Sequence, residues 1–263
     1  MAELLAALVP HPPIIVEEIG RGELDRVART REALFRVADE VKQFSPQTIL
    51  LSTPHNTFIP GRIGLLTGDP LIGSFAPFGF PEGEHRFGND RGLTEAMLAD
   101  SELAGFLSPL DSGELDHGAL VFLDFFRRRE GDAKLVVFTA SYGDLDAFWR
   151  FGQALGRFLR GREGRFVYVA SGDLSHCTKS APGRHYHAEG PEFDRIVAEA
   201  VQSASAESLL KLDTSFVERA EQCGLYSFLI AFGLFAGEKV RGEVLSYEDP
   251  FGVGYLVGML RSE

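Results

Sequence analysis

Cysteine is nearly absent from this 263-residue chain: only Cys177 and Cys223 occur, and neither belongs to a CxxC pair. Zinc knuckles and disulfide frameworks need closely paired or regularly spaced cysteines, so neither is indicated. Positive charge is scarce as well: 26 Lys and Arg stand against 38 Asp and Glu, a formal net charge of −12. A surface of that sign repels phosphate backbones, and no Lys/Arg stripe makes a local exception. The one basic cluster, Arg127-Arg128-Arg129, follows LVFLDFF and reads as the solvated end of a helix. Nucleic acid is not an expected partner. Long hydrophobic runs are missing too, none reaching the ~20 residues of a membrane span. The N-terminal MAELLAALVPHPP has no basic n-region and meets prolines at once, so it reads as a first strand rather than a signal peptide. A cytoplasmic protein without membrane contact is the expectation.

Linkers, composition shifts, internal repeats and low-complexity tracts are also lacking. With 44% hydrophobic and 24% charged residues, the composition is that of a chain with a substantial core. One domain over residues 1–263 is expected. Apolar runs alternate with helical periodicity along its length. Strands are expected near Leu4–Val9, Thr48–Ser52, Lys134–Ala140, Phe166–Ser171, Val244–Tyr247 and Gly254–Leu260. Helices are expected over Gly22–Phe44, Asp90–Ala104, Ala119–Arg128, Leu145–Leu159, Glu192–Ala204, Ala206–Leu212 and Tyr226–Phe235. Residues 62–87, rich in Gly, Pro and Phe, read as short strands covering one side of a site. The alternation gives an α/β fold class, and its strand–helix–strand opening predicts a parallel pair formed by the first two strands.

Four of the seven histidines sit where an apolar run stops: His11, His55, His117 and His176. Strand ends in an α/β sheet converge on one edge, where ligand crevices form. Imidazole is the commonest metal ligand and the usual general base near neutral pH. Prolines 10, 12 and 13 stiffen the chain around His11, and Thr53-Pro54-His55 repeats the design. Two imidazoles at one edge need only a carboxylate to complete a facial triad for a divalent metal. Beside His117, Asp116 could orient the ring and Gly118 permits close approach. Asp173 is near enough in sequence to hold a tautomer of His176. Ser171 and Ser175 raise a serine hydrolase, but no G-x-S-x-G elbow is present. His85, His185 and His187 read as loop or surface residues. Among carboxylates, Glu221 and Glu248 stand out, one entering a very apolar segment and the other ending a strand beside a glycine-rich turn.

In chain order the motifs VPHPPII, STPHNTF, LDHGAL, SGDLSH, EQCGLYS and LSYEDPFGVGY span essentially the whole sequence. Together they resemble the class III extradiol dioxygenases of the LigB type, especially small stand-alone members, and the related Memo-like proteins. The resemblance implies a single α/β domain with a central mixed sheet and helices on both faces. It implies non-haem Fe(II), a small aromatic diol and O₂ as reactants, and a homodimer. His11 and His55 match the family's metal histidines, His176 its acid/base histidine, and His117 a second active-site histidine. Glu221 is the expected third ligand. Relatives commonly read Glu-Cys-Gly here, whereas Gln222 precedes Cys223 in this chain, so Glu221, Gln222, Cys223 and Glu248 all stand as candidates. A cysteine ligand, found near this position in Memo-like proteins, would favour zinc or copper over iron. The resemblance thus points to an oxidoreductase of aromatic catabolism, or to a metal- or partner-binding protein on the same scaffold.

Overall fold

The computed structural model describes residues 2–263. Strand β1 (Ala2–Val9) leads through α1 (Glu17–Gly20) to α2 (Ala28–Phe44) and β2 (Thr48–Thr53). Next come β3 (Ile63–Leu66), a hairpin of β4 (Leu71–Phe75) and β5 (Phe80–Phe87), α3 (Arg91–Ala99) and β6 (Leu107–Leu110). The α/β alternation continues with α4 (His117–Arg128), β7 (Lys134–Thr139), α5 (Leu145–Arg160) and β8 (Gly164–Ser171). Four helices follow: α6 (Glu189–Ser203), α7 (Glu207–Leu210), α8 (Thr214–Arg219) and α9 (Leu225–Leu234). Strands β9 (Val240–Glu248) and β10 (Tyr255–Ser262) close the chain.

Eight strands form one mixed sheet in the order β6-β3-β7-β2-β8-β1-β10-β9, while β4 and β5 pair separately. Its centre is parallel: β7, β2, β8 and β1 run side by side in one direction. The expected pairing of the first two strands does not occur. β8 lies between them, with Phe166 registered against both Leu4 and Thr48. The runs LLAALV, TILLST and FVYVAS are all enclosed on both sheet faces, so each suits a central position and adjacency in sequence does not fix their order.

Side chains of alternating parity feed two cores, one on each face. Leu8, Leu50 and Tyr168 join α5, α6 and α9 in one; Val9, Leu51 and Val169 join α2 and α4 in the other. Each fully buried Leu, Val or Phe contributes roughly 1.5–3 kcal/mol of burial free energy. Helix α9 is buried along its whole length, as its uniformly apolar sequence requires. Three elements escaped the sequence reading. Helix α1 is a single turn of four residues. β6 is only four residues with a proline, tolerable because it is an edge strand; α8 is a helix of six residues. The stretch from Gly22 begins as a 3-10 turn before α2, and β3 joins the main sheet rather than a separate meander.

This topology sets the site. The loops leaving β1, β8 and β2 emerge side by side at the carboxyl edge of three adjacent parallel strands.

Candidate functional site

His11 follows β1 and is almost fully buried; its backbone N–H donates to Asp173 Oδ1 at 3.0 Å. That bond ties the loop after β1 to the loop after β8. His55 leaves β2 through Thr53-Pro54, and its N–H donates to Thr53 Oγ1 at 3.3 Å. His117 is the first residue of α4. Asp116 caps this helix, its Oδ1 accepting from Ala119 N at 3.0 Å and from Thr53 Oγ1 at 2.8 Å. Such a cap stabilises by about 1 kcal/mol, and here it also ties the helix start to the end of β2. A Cβ on Gly118 would lie 2.3 Å from Thr53 Oγ1, so only glycine permits this approach. The His55 and His117 rings consequently stack with centroids 4.4 Å apart.

Hydrogen bonds fix the tautomers of two rings. Ser171 Oγ donates its single proton to the Gly118 carbonyl at 2.5 Å. It must therefore accept from His11 Nδ1, 2.9 Å away, which leaves the lone pair of His11 on Nε2. That atom stands 2.8 Å from His55 Nε2, 3.6 Å from Cys223 Sγ and 3.9 Å from Asp173 Oδ2. The Glu221 carbonyl accepts from both the backbone N–H and the Nδ1–H of His176. The lone pair of His176 is thus also on Nε2, 3.8 Å from Asp173 Oδ2.

Burial disfavours every charged form here. It holds His11 well below the ordinary histidine range, helped by the neighbouring His55, His117 and His176. The same cause lowers His55 and His176, and lowers His117 to about 4. Asp173 is pushed up to about 7 by burial, and the Cys223 thiol well above its usual value by burial and by Asp173. A thiolate in this place needs a cation beside it.

The four histidines expected at one edge do meet there. Glu221 is placed differently from expectation: its carboxylate is half exposed and 3.7 Å from His187 Nε2, while its backbone, at φ 50°, offers the carbonyl to His176. Glu248 is committed to α2, its Oε2 accepting from Thr30 N at 2.8 Å and its Oε1 from Arg29. Gln222 Oε1 accepts from Leu225 N at 2.7 Å at the start of α9. Of the four candidates for a third donor, Cys223 is the one that reaches the two histidines. Two donor sets come together: His11, His55 and Cys223, and Asp173, His176 and Cys223, each with its donor atoms within 4.8 Å of one another. Asp173 was foreseen only as a partner of His176; the signal for more was its position two residues beyond the buried run FVYVAS of β8. His85 lies 3.4 Å from Asp124 and packs against Phe75, away from the cluster.

Residues 5–258 match the family described as the catalytic LigB subunit of aromatic ring-opening dioxygenase. The chain belongs to this family. It is 32% identical to Protein CA_C1420 of Clostridium acetobutylicum over 267 aligned positions, which take in 97% of this chain. The match covers 56% of that protein, so the chain spans about half the length of the curated relative. The crystal structure of uncharacterized protein JW3007 from Escherichia coli K12 shares the fold, with TM-score 0.62 and 14% identity. It is covered over 98% of its length by 97% of this chain. No helix among the described residues is long and apolar enough to cross a membrane. In this LigB-family chain a cleft of about 580 Å³ is lined by His55, His176 and Cys223. Tyr142, Tyr226 and Arg184 line its walls. Phe78, at the tip of the β4–β5 hairpin, lies with its ring 5.2 Å from that of His117.

Proposed function

We propose that this chain is a metal-dependent oxidoreductase that opens the ring of a small aromatic diol with O₂, its metal held by His11, His55 and Cys223. The observation that carries the reading is the meeting of two imidazole Nε2 atoms and a partly buried thiol beside two further histidines and a cleft. The donor set fits a metal ion. His11 presents a lone pair enforced by Ser171, the arrangement in which a ligating imidazole gives its other N–H to a fixed acceptor. The bound ion, Fe(II) in the family's implied chemistry, would supply the electronic coupling between diol and O₂ and fix their relative geometry.

The chain's own groups divide the remaining work. His176 Nε2 carries a lone pair facing the site and takes the first proton from a diol hydroxyl. Asp173 Oδ2, 3.8 Å from that nitrogen, favours the imidazolium that results. His117, neutral because burial keeps its pKa near 4, offers an N–H to anionic charge developing beside His55. Tyr142 and Tyr226 supply apolar faces against which an aromatic ring lies, and Arg184 a positive charge at the wall. Cleavage outside the two hydroxyls gives a ring-opened semialdehyde acid.

The thiol supports a second reading. Cysteine is a softer ligand than the carboxylate of a facial triad and suits zinc or copper, as in a Memo-like metal-binding protein without turnover. Anaerobic reconstitution with Fe(II), then O₂ uptake with a panel of catechols, separates the two. Uptake lost in His176→Ala supports the oxidoreductase. Stoichiometric iron with no uptake from any catechol sinks it and leaves the binding protein.

A further inference from the structure

Cys223 belongs to both donor sets at the sheet edge. On one side its sulfur meets His11 Nε2 and His55 Nε2; on the other it meets the carboxylate of Asp173 and the imidazole of His176. We infer that the site takes a second metal ion, bound by Asp173, His176 and the Cys223 thiolate, with the sulfur bridging the two ions. The inference rests on the metal centre proposed above, since the bridge is one of its ligands.

Three features support it. First, the donors fall into two groups rather than one: His11, His55 and Cys223, and Asp173, His176 and Cys223, each with its donor atoms within 4.8 Å of one another and sharing only the sulfur. Second, the lone pairs of His11 and His176 are fixed independently. Ser171 holds the His11 Nδ1 proton and the Glu221 carbonyl holds that of His176, so each ring must present Nε2 as a donor. His176 Nε2 faces Asp173 Oδ2 at 3.8 Å, a distance that leaves room for an ion bound to both. Third, the backbone locks this half of the site. The Asp173 carbonyl accepts from Gly224 N at 2.9 Å and from Cys223 N at 3.3 Å, and Asp173 N–H points at Cys223 Sγ at 3.2 Å. The carboxylate and the sulfur are thus held side by side by the main chain rather than by chance rotamers.

Charge favours the second ion once the first has made the sulfur a thiolate. The thiolate and the Asp173 carboxylate then place two negative charges at one buried spot, which a second divalent cation neutralises. The chemical class is a thiophilic divalent ion such as Zn²⁺, since sulfur and imidazole outnumber the single carboxylate. Occupancy has a consequence. It engages the His176 lone pair, converting a base into a ligand, so excess metal stops turnover that one ion supports.

Equilibrium dialysis of chelator-stripped protein against Zn²⁺, with metal read by atomic emission, tests this without reference to activity. The wild type is expected to bind two equivalents, the second at least tenfold more weakly. His176→Ala and, separately, Asp173→Asn should each stop at one equivalent, because both leave His11, His55 and Cys223 in place. His187→Ala serves as the control for binding at the neighbouring surface pair with Glu221 and should keep two. Saturation of the wild type at one equivalent overturns the second site while leaving the first. A second equivalent that survives in His176→Ala, or vanishes in His187→Ala, overturns it as well. No bound zinc at all overturns both it and the metal centre on which it rests.

Discussion

His11 and His55 face each other Nε2 to Nε2 at 2.8 Å, although 44 residues of chain separate them. With the His11 lone pair on Nε2, this geometry is what lets both rings serve as ligands in the proposed metal centre. An ion present at 100 times its Kd stabilises a fold by about 2.7 kcal/mol, which raises the Tm of a domain this size by about 5 °C or more. Wild type and Glu221→Gln should both show that rise with Zn²⁺ or anaerobic Fe(II) in differential scanning fluorimetry. His11→Ala and His55→Ala should show none. A normal metal-dependent rise in either alanine variant would remove that histidine from the site, and its loss in Glu221→Gln would restore the carboxylate as a ligand.

Ser171 is not a ligand in the proposed centre, yet its hydroxyl decides which nitrogen of His11 keeps the lone pair. Removing its hydroxyl frees the ring to place its proton on either nitrogen and leaves the Gly118 carbonyl without its donor. Loss of such an orienting partner typically weakens metal binding about 10–100-fold. Ser171→Ala should therefore lower affinity by that factor, measured by competition with a chromogenic chelator, while Ser171→Thr should retain most of it. Equal affinity in Ser171→Ala and wild type would show that His11 needs no such partner.

The strand ends were legible because each is an unbroken apolar run halted by a polar or proline residue, as in LVPH and LLSTPH. That signal also located His11, His55 and His176, since parallel strands deliver their carboxyl ends to one edge. The third donor was not legible. Glu221, Gln222 and Cys223 are consecutive, and which one turns inward depends on a left-handed backbone at Glu221 that no local pattern announces. The place of Asp173 beside Cys223 was hidden for a similar reason, because it rests on a backbone approach spanning 50 residues. Strand order was misjudged from adjacency in sequence; β1, β2 and β8 are all apolar runs buried on both faces, so burial does not announce which lies between the other two.

Asp194 gives the fold a pH dependence of its own. Its carboxylate accepts from Ser175 N at 2.8 Å and from Tyr247 OH at 2.7 Å, and burial, with Asp249 nearby, raises its pKa from 3.8 to about 7. Between those values the folded chain keeps a proton that the unfolded chain has lost. The Asp194 contribution to stability is therefore full below about pH 4 and declines as pH rises through about 7. Asp173 acts in the same direction, so removing one group reduces the slope without abolishing it. Asp194→Asn, which can keep both hydrogen bonds, should show a smaller fall in chelator-treated Tm from pH 5 to pH 8. Parallel Tm profiles for the two proteins would show that Asp194 ionises freely in the folded state.

The approach of two loops at Gly172 and Gly224 is what assembles the cysteine half of the site. A Cβ on Gly172 would lie 2.1 Å from Gly224 Cα, which is backbone and cannot swing aside as a side chain would. Separating these segments stretches the bonds from Cys223 N and Gly224 N to the Asp173 carbonyl and draws the sulfur away from His11. Gly172→Ala should cost about 1–3 kcal/mol or more from overpacking, seen as a lower midpoint in urea. It should also lower metal affinity at temperatures where the fold is intact, because the ligands no longer converge. A fold that is destabilised but binds metal as tightly as wild type would separate the two effects. That outcome would mean the thiol position is fixed by α9 rather than by its contact with the loop after β8.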